Sequence, residues 1–578
     1  MTHLLNGTTR WLSAAALTLG LLPAVGAQVP FQPTASMGPG ASQTGARPSA
    51  DPRFEIPNLK GLPDPTFEQD WDCYYYGTYI WNDTGTAVPG NVFWPSLCDG
   101  DPDPDAELPL PLVVLLIDDG QTHEDYQDLG RFLAFNGFIV AVVDTGFGNP
   151  NVIRSAHART YINFLRDHWE FKAWVDTSRV AIGGVGRGGE AALTTARRFA
   201  PGGGFSQDAC DIKSVFAIAA TDVGGFEGHE SLDGRHTPSF LAIAGSRDEM
   251  VHGYCTDGQI PGCNGVPGDV QRTVFATYDR TGYEQDVIGP FIVTDHTRKA
   301  MLFVERANHE RWSDAAFCGF GGGVGILSCD QQHAVRNGYL NAWLRWNVRD
   351  QGKWKPYFTG EQTPGAVEDL GVVVRTQYSN GKNRRVIDDF HNGDTGLGKH
   401  STVAMNGLTV DEGDVWDVPD HSSPHDTELL SATFDLPWWQ VDAFIEWTID
   451  DVSIPGGDNA RDMSDLTHFS LRVGMMNGSP LNNGDDLRVS VRLVDATGHA
   501  SPYVKSKDYA TISMPEAGAI NQAVTLLPGY TPKSAMQTVR FPLEKFTGVD
   551  LSQVEQVEVW FPNRDQGHVL LDSVEFTQ

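Results

Sequence analysis

Through the first half of the chain, continuous apolar runs alternate with amphipathic stretches. Leu112-Val113-Val114-Leu115-Leu116-Ile117 has no polar interruption, the texture of a strand buried on both faces. A helical stretch follows around 124–136 and stops at Asn136-Gly137, a helix-ending pair. Phe138 to Asp144 reads as a second buried strand and 155–170 as a helix. Arg179 to Gly184 reads as a third strand, followed by a Gly-rich turn and a helix over 188–199. Further strands are expected at Val215–Ala220, Phe240–Ala244 and Ala300–Val304. A last helix, 331–346, carries Leu340, Trp343 and Leu344 on one face. Strands alternating with helices predict a parallel α/β sheet. After about 360 the helical period disappears. Short alternating runs punctuated by Pro, Gly, Asn and Asp take over, among them Leu429–Phe434, Leu487–Val494 and Val569–Phe576. That pattern predicts an all-β sandwich.

The first 27 residues read as an export signal. Arg10 closes a polar start, an apolar run extends from Trp11 to Leu22, and Val25-Gly26-Ala27 precedes a cleavage point at Gln28. The run is too short, and too interrupted by Gly20 and Pro23, to span a membrane. The expected organisation is a signal peptide over 1–27, a Pro/Gly/Ser-rich leader over 28–53, an α/β domain over 54–358 and a β-sandwich over 359–578. The expected location is secreted or periplasmic. Export makes disulfides plausible for the 7 cysteines. Neighbouring pairs (Cys73–Cys98, Cys255–Cys263, Cys318–Cys329) close the shortest loops, sequence does not fix the connectivity, and an odd count leaves one thiol over, assigned to Cys210.

Charge narrows the partners. Against 74 Asp and Glu stand 42 Lys and Arg, a net charge of −32, and only 12 of the basic residues are Lys. Such a chain repels phosphate backbones and anionic membrane surfaces, so nucleic acid is not expected as a partner, and because no other stretch approaches ~18 unbroken apolar residues no membrane span is expected.

The candidate chemistry sits after the third strand, in Gly184-Val185-Gly186-Arg187-Gly188-Gly189-Glu190. Strand, tight glycine turn and helix form the scaffold of a nucleophile elbow, with small residues two before and two after the nucleophile. The central position, however, is Gly186, which has no side chain. This region resembles the α/β-hydrolase superfamily, most of all secreted bacterial hydrolases whose elbow reads Gly-His-Ser-Arg-Gly-Gly-Glu. Arg187 to Glu190 match that motif in order, and Val185-Gly186 replace its His-Ser. The resemblance continues with Gly245-Ser246-Arg247-Asp248, where Asp248 takes the place of the family acid. In Arg306-Ala307-Asn308-His309, His309 takes the place of the family base. It extends in patches to the sandwich, in Asp485–Val489 and Leu570–Phe576.

The resemblance implies a doubly wound, mostly parallel α/β-hydrolase-like sheet followed by a jelly-roll-like sandwich. It also implies ester or related acyl hydrolysis, with oxyanion donors at Arg187 and in the loop after the first buried strand. There a second departure appears: the family's His-Gly is replaced by Asp118-Asp119-Gly120. A carboxylate at that place repels a developing oxyanion. Two departures at separate catalytic positions point to a degenerate mechanism.

Each residue also has a plainer reading. Gly186 fits a vestigial elbow better than a phosphate-binding turn, because no Lys-Ser/Thr follows. Asp248 and His309 are either a retained acid–base pair or a leftover structural hydrogen bond, the latter favoured when no serine is present. Asp118 or Asp119 is either a solvated loop acid or a substitute base, nucleophile or metal ligand. Glu190 suits the positive end of its helix. The alternate carboxylates of Asp99–Asp105 are a solvated loop or a calcium site that departs from the EF-hand pattern. Trp438-Trp439 are core residues or a sugar platform.

The sequence therefore predicts an exported protein of esterase lineage that keeps Asp248 and His309. It has lost the nucleophile at Gly186 and altered the oxyanion positions at Asp118 and Arg187. Non-catalytic or weakly active binding of an ester-like or polymeric ligand is expected, with no cofactor. The alternatives are a hydrolase using a non-serine nucleophile or His-activated water, and a carbohydrate-binding or structural protein acting through the sandwich.

Overall fold

In the computed structural model the described residues are 73–81, 87–96, 108–220, 238–248, 298–314, 325–381 and most of 384–578, with short pieces between 223 and 293. The signal and leader segments, Asp99–Asp105, Trp438-Trp439 and Cys98, Cys255, Cys263 and Cys318 lie outside them.

Strands β1 (Cys73–Trp81), β2 (Val88–Ser96), β3 (Leu110–Leu116), β4 (Ile139–Val143), β5 (Val175–Val185) and β6 (Ile212–Ile218) belong to one nine-stranded sheet. Its order is β1-β2-β4-β3-β5-β6, continued by Ser239–Gly245, Lys299–Val304 and Val374–Ser379. The centre is parallel, from β4 through β3, β5 and β6 to Lys299–Val304. Antiparallel strands close both edges. Helices α1 (Gln127–Phe135), α2 (Asn151–Asp167) and α3 (Arg187–Phe199) fill the connections from β3 to β6.

Side chains of a strand alternate between faces, so the apolar runs feed two cores. Leu112, Val114 and Leu116 of β3 pack with α2 and α3 residues such as Ile162 and Leu193. Val113 and Leu115 pack with Leu129 and Leu133 of α1 and with Trp343 and Leu344 of the helix Cys329–Asn347. Each such fully buried side chain contributes roughly 1.5–3 kcal/mol.

The doubly wound, mostly parallel α/β-hydrolase-like architecture expected from the sequence is not what the chain shows. Strand, at 39%, outweighs helix, at 26%, and the nine-stranded sheet is mixed. The alternation of strand and helix that suggested the α/β class holds from β3 to β6. Past Phe199 the next fully described α-helix begins at Cys329. The sheet also takes in Val374–Ser379, beyond the boundary at 358–359 read from the sequence.

The rest of the chain forms two six-stranded sheets around one core. Gln566–Thr577 is central in the first, between Leu429–Asp435 and His468–Met475. Val554–Trp560 is central in the second, between Phe444–Ile449 and Ser490–Asp495. Leu430, Leu471 and Phe576 of the first meet Ile445, Trp447 and Val557 of the second in that core. Cys210 is a free thiol and Cys329 is disulfide-bonded. Among the described residues no helix is long and apolar enough to cross a membrane.

Candidate functional site

Four segments that leave the carboxyl ends of parallel strands meet at one point, the usual place for a site in a sheet of this kind. They follow β3, β5, Ser239–Gly245 and Lys299–Val304. At the end of β5, Gly186 adopts φ 52° and ψ −123° and caps α3. Side-chain-bearing residues avoid that conformation. The bend brings helix onto strand very closely. A Cβ on Gly184 would lie 2.3 Å from the Leu116 carbonyl oxygen, and one on Gly188 would lie 2.1 Å from it. The elbow frame is therefore built, with glycine at its apex.

The expected acid and base do meet. His309 Nδ1 is 3.1 Å and 3.2 Å from the two Asp248 carboxylate oxygens. Asp248 is 1% exposed. The two loops are tied together: the Arg306 N–H donates to Ser246 Oγ at 2.7 Å, and the Arg247 N–H donates to the Ala307 carbonyl at 2.8 Å. Gln332, fully buried, holds both sides of Asn308, accepting from its N–H at 3.0 Å and donating to its carbonyl at 3.1 Å. This fixes the backbone next to the imidazole.

The other ring nitrogen points at Asp118. Asp118 Oδ2 lies 3.0 Å from His309 Nε2, and Asp118 Oδ1 accepts the Arg187 backbone N–H at 2.8 Å. A Cβ placed on Gly186 would lie 2.2 Å from Asp118 Oδ1 and 2.4 Å from its Cγ. One carboxylate thus fills the room of a nucleophile side chain and takes up the N–H of the residue after the nucleophile position. The two sequence departures are one coupled change, in which Asp118 needs a glycine at 186.

The electrostatics follow from this arrangement. Burial by itself depresses the His309 pKa, but the Asp248 carboxylate and Asp118 outweigh it and raise the pKa well above the ordinary value. A carboxylate on each ring nitrogen thus favours the imidazolium form. A catalytic base needs a lone pair on the nitrogen facing the nucleophile; here Asp118 faces that nitrogen and favours the proton staying on it.

Asp119 is one-third exposed and is held from two sides. It pairs with Arg154 and accepts the Gly148 N–H at 3.1 Å. Arg154 is fully buried on α2. It donates to the Ile117 carbonyl at 3.1 Å, to Thr145 Oγ1 at 2.6 Å and to the Asn149 carbonyl at 2.9 Å. Burial, then the nearby Arg187 charge, lowers its pKa to about 10, which still leaves it charged at neutral pH. Arg154 therefore braces the loop that presents Asp118. Arg187 and Glu190 form an ion pair on the first turn of α3.

Among the described residues no group of three or more His, Cys, Asp or Glu is placed to hold a metal ion. His309 spends both nitrogens on carboxylates and Asp119 is held by Arg154. Sequence reasoning missed Arg154 and Gln332. The helix also carries Arg159 and Arg166, and it buries Asn151 and His157 as well, so the residue pattern does not single out Arg154. Compared with known proteins, the chain matches no family model and no curated protein.

Proposed function

We propose that this is an exported protein of hydrolase lineage whose pocket binds a ligand and no longer performs serine-dependent acyl transfer. The reading rests on one observation, the Asp118 carboxylate seated between His309 Nε2 and the Arg187 N–H. Acyl transfer needs a nucleophile, a base with a free lone pair and an unoccupied oxyanion donor. Asp118 stands in the place of the first, favours the protonated form of the second and satisfies the third. Losing a nucleophile typically costs about a million-fold in a serine protease, and losing one oxyanion donor about 100- to 1,000-fold.

The second reading, an active enzyme with Asp118 as nucleophile, is disfavoured by the same contacts. A carboxylate that accepts from an imidazolium and from a backbone N–H has its charge dispersed and attacks poorly. The test is a panel of short-chain esters together with a fluorophosphonate probe on the full chain. The expected result is background turnover and no label. Robust turnover abolished by His309→Ala would overturn the proposal.

A further inference from the structure

We propose a second, independent binding site on the outer face of the Phe444–Ile449, Val554–Trp560 and Ser490–Asp495 sheet, built for a saccharide bearing carboxylate or sulfate groups. A cavity of about 300 Å³ opens there, and its lining includes Arg488, Tyr503, Lys505, Lys507 and Trp560. The sheet register explains the grouping. Phe444 is opposite Trp560, Trp560 is opposite Ser490, and Ser490 is opposite Lys505. One row across four strands therefore runs from an aromatic end to a cationic end.

The aromatic part is held rigid. Phe444 stacks on Trp560 with centroids 4.7 Å apart, and Tyr503 meets Trp560 edge-on at 5.3 Å. Behind them Glu558 accepts from Trp560 Nε1 at 3.0 Å and from the Tyr503 hydroxyl at 3.2 Å. Its charge is matched by a two-pronged contact with Arg492 at 2.9 Å and 2.6 Å. The buried acid is thus neutralised, and among the described residues no acidic side chain lines the cavity.

The cations are the anomaly. In a chain of net charge −32 with 12 lysines, two lysines and an arginine face one cavity. Lys505 and Lys507 are exposed and have no ion pair among the described residues. The charge of Lys505 and Lys507 against a negative molecular field draws an anion, and the neighbouring aromatic rings offer an apolar surface to the C–H faces of a sugar. Trp560 and Tyr503 line the same cavity as the cations, so a charged sugar can meet aromatic and cationic groups together. A compact inorganic anion would use the lysines and leave the rings idle. A nucleic-acid strand would meet the overall negative charge.

The experiment is calorimetric titration of the full chain, with tryptophan fluorescence in parallel. The probes are tetragalacturonate, tetramannuronate, a sulfated carrageenan tetrasaccharide, galactotetraose, a thymidine tetranucleotide and inorganic sulfate. At least one acidic tetrasaccharide should bind and alter the tryptophan emission, with affinity falling as salt rises. The Lys505→Gln/Lys507→Gln variant, with its thermal midpoint unchanged, should bind that probe about tenfold more weakly. Four results would each overturn the proposal: no binding of any acidic tetrasaccharide, equal binding of galactotetraose, equal binding of sulfate or of the tetranucleotide, or unchanged affinity in the double-lysine variant.

Discussion

Gly186→Ser is the substitution that family resemblance would nominate as a repair, and the structure predicts that by itself it fails. The new Cβ would stand 2.2, 2.4 and 2.5 Å from Asp118 Oδ1, Cγ and Oδ2, so the whole carboxylate must move. Overpacking of this kind costs about 1–3 kcal/mol. A side-chain-bearing residue at the positive φ of Gly186 adds about 1–2 kcal/mol. The displaced Asp118 gives up its contacts to His309 and Arg187, and charge-assisted hydrogen bonds are worth about 1.5–3 kcal/mol each. The single variant should therefore lose about 5 kcal/mol or more and show no ester hydrolysis. Asp118→Gly alone forfeits the same two hydrogen bonds and should lose about 3–6 kcal/mol. In the pair the clash is gone and those bonds are lost only once. The double variant should be about 4 kcal/mol or more above the stability that the sum of the singles predicts. Urea unfolding of the four proteins measures the coupling. With the space cleared, the hydroxyl at position 186 faces His309 Nε2, and short-chain ester turnover should appear in the double variant alone. Additivity within about 0.5 kcal/mol, or a Gly186→Ser protein as stable as the parent, would refute the claim that Asp118 occupies that space.

Two further outcomes follow from buried charge. Arg154→Met removes the cation that braces Asp119 and leaves that carboxylate and the Ile117 carbonyl without their partner; unfolding free energy should fall by about 3–5 kcal/mol, and adding Asp119→Asn should recover part of the loss. In the sandwich core, Asp388 is 1% exposed and accepts from Trp447 Nε1 at 2.7 Å and the Phe390 N–H at 2.9 Å. Burial raises its pKa from 3.8 to about 7. The folded state therefore holds a proton that the unfolded chain releases, so stability falls as pH rises from about 4 to about 7 and levels off above. The span is of order 4 kcal/mol, and chemical denaturation across this range should show the slope in the parent and lose it in Asp388→Asn.

Much of the site was legible in the chain because its signals are local. The glycine frame at 184, 186 and 188 specifies a close strand–helix approach. Asp248 and His309 each follow an apolar run that forms a strand, so both arrive at the same sheet end. The relation between Asp118 and Gly186 was not legible, because it depends on how far a loop after β3 reaches across to the bend after β5. Sequence showed two oddities where the structure has a single carboxylate doing both jobs. Arg154 and Gln332 act on backbone carbonyls and amides, and such roles leave no residue-type pattern. The α/β class was extended too far from a correct local pattern: strand and helix do alternate from β3 to β6, but apolar runs report strands without reporting how the connections between them are built. The antiparallel edges come from Val88–Ser96 and Val374–Ser379, whose direction periodicity does not encode.

The protonation of His309 tests the account most directly. Nitrogen-15 spectroscopy of the imidazole at pH 7.5 should find both Nδ1 and Nε2 protonated, held by Asp248 and Asp118, and Asp118→Asn should lower the pH at which the ring loses its proton. A neutral ring at pH 7.5 with a bare Nε2 would leave the base free to act, and would contradict the claim that Asp118 has shut the site down.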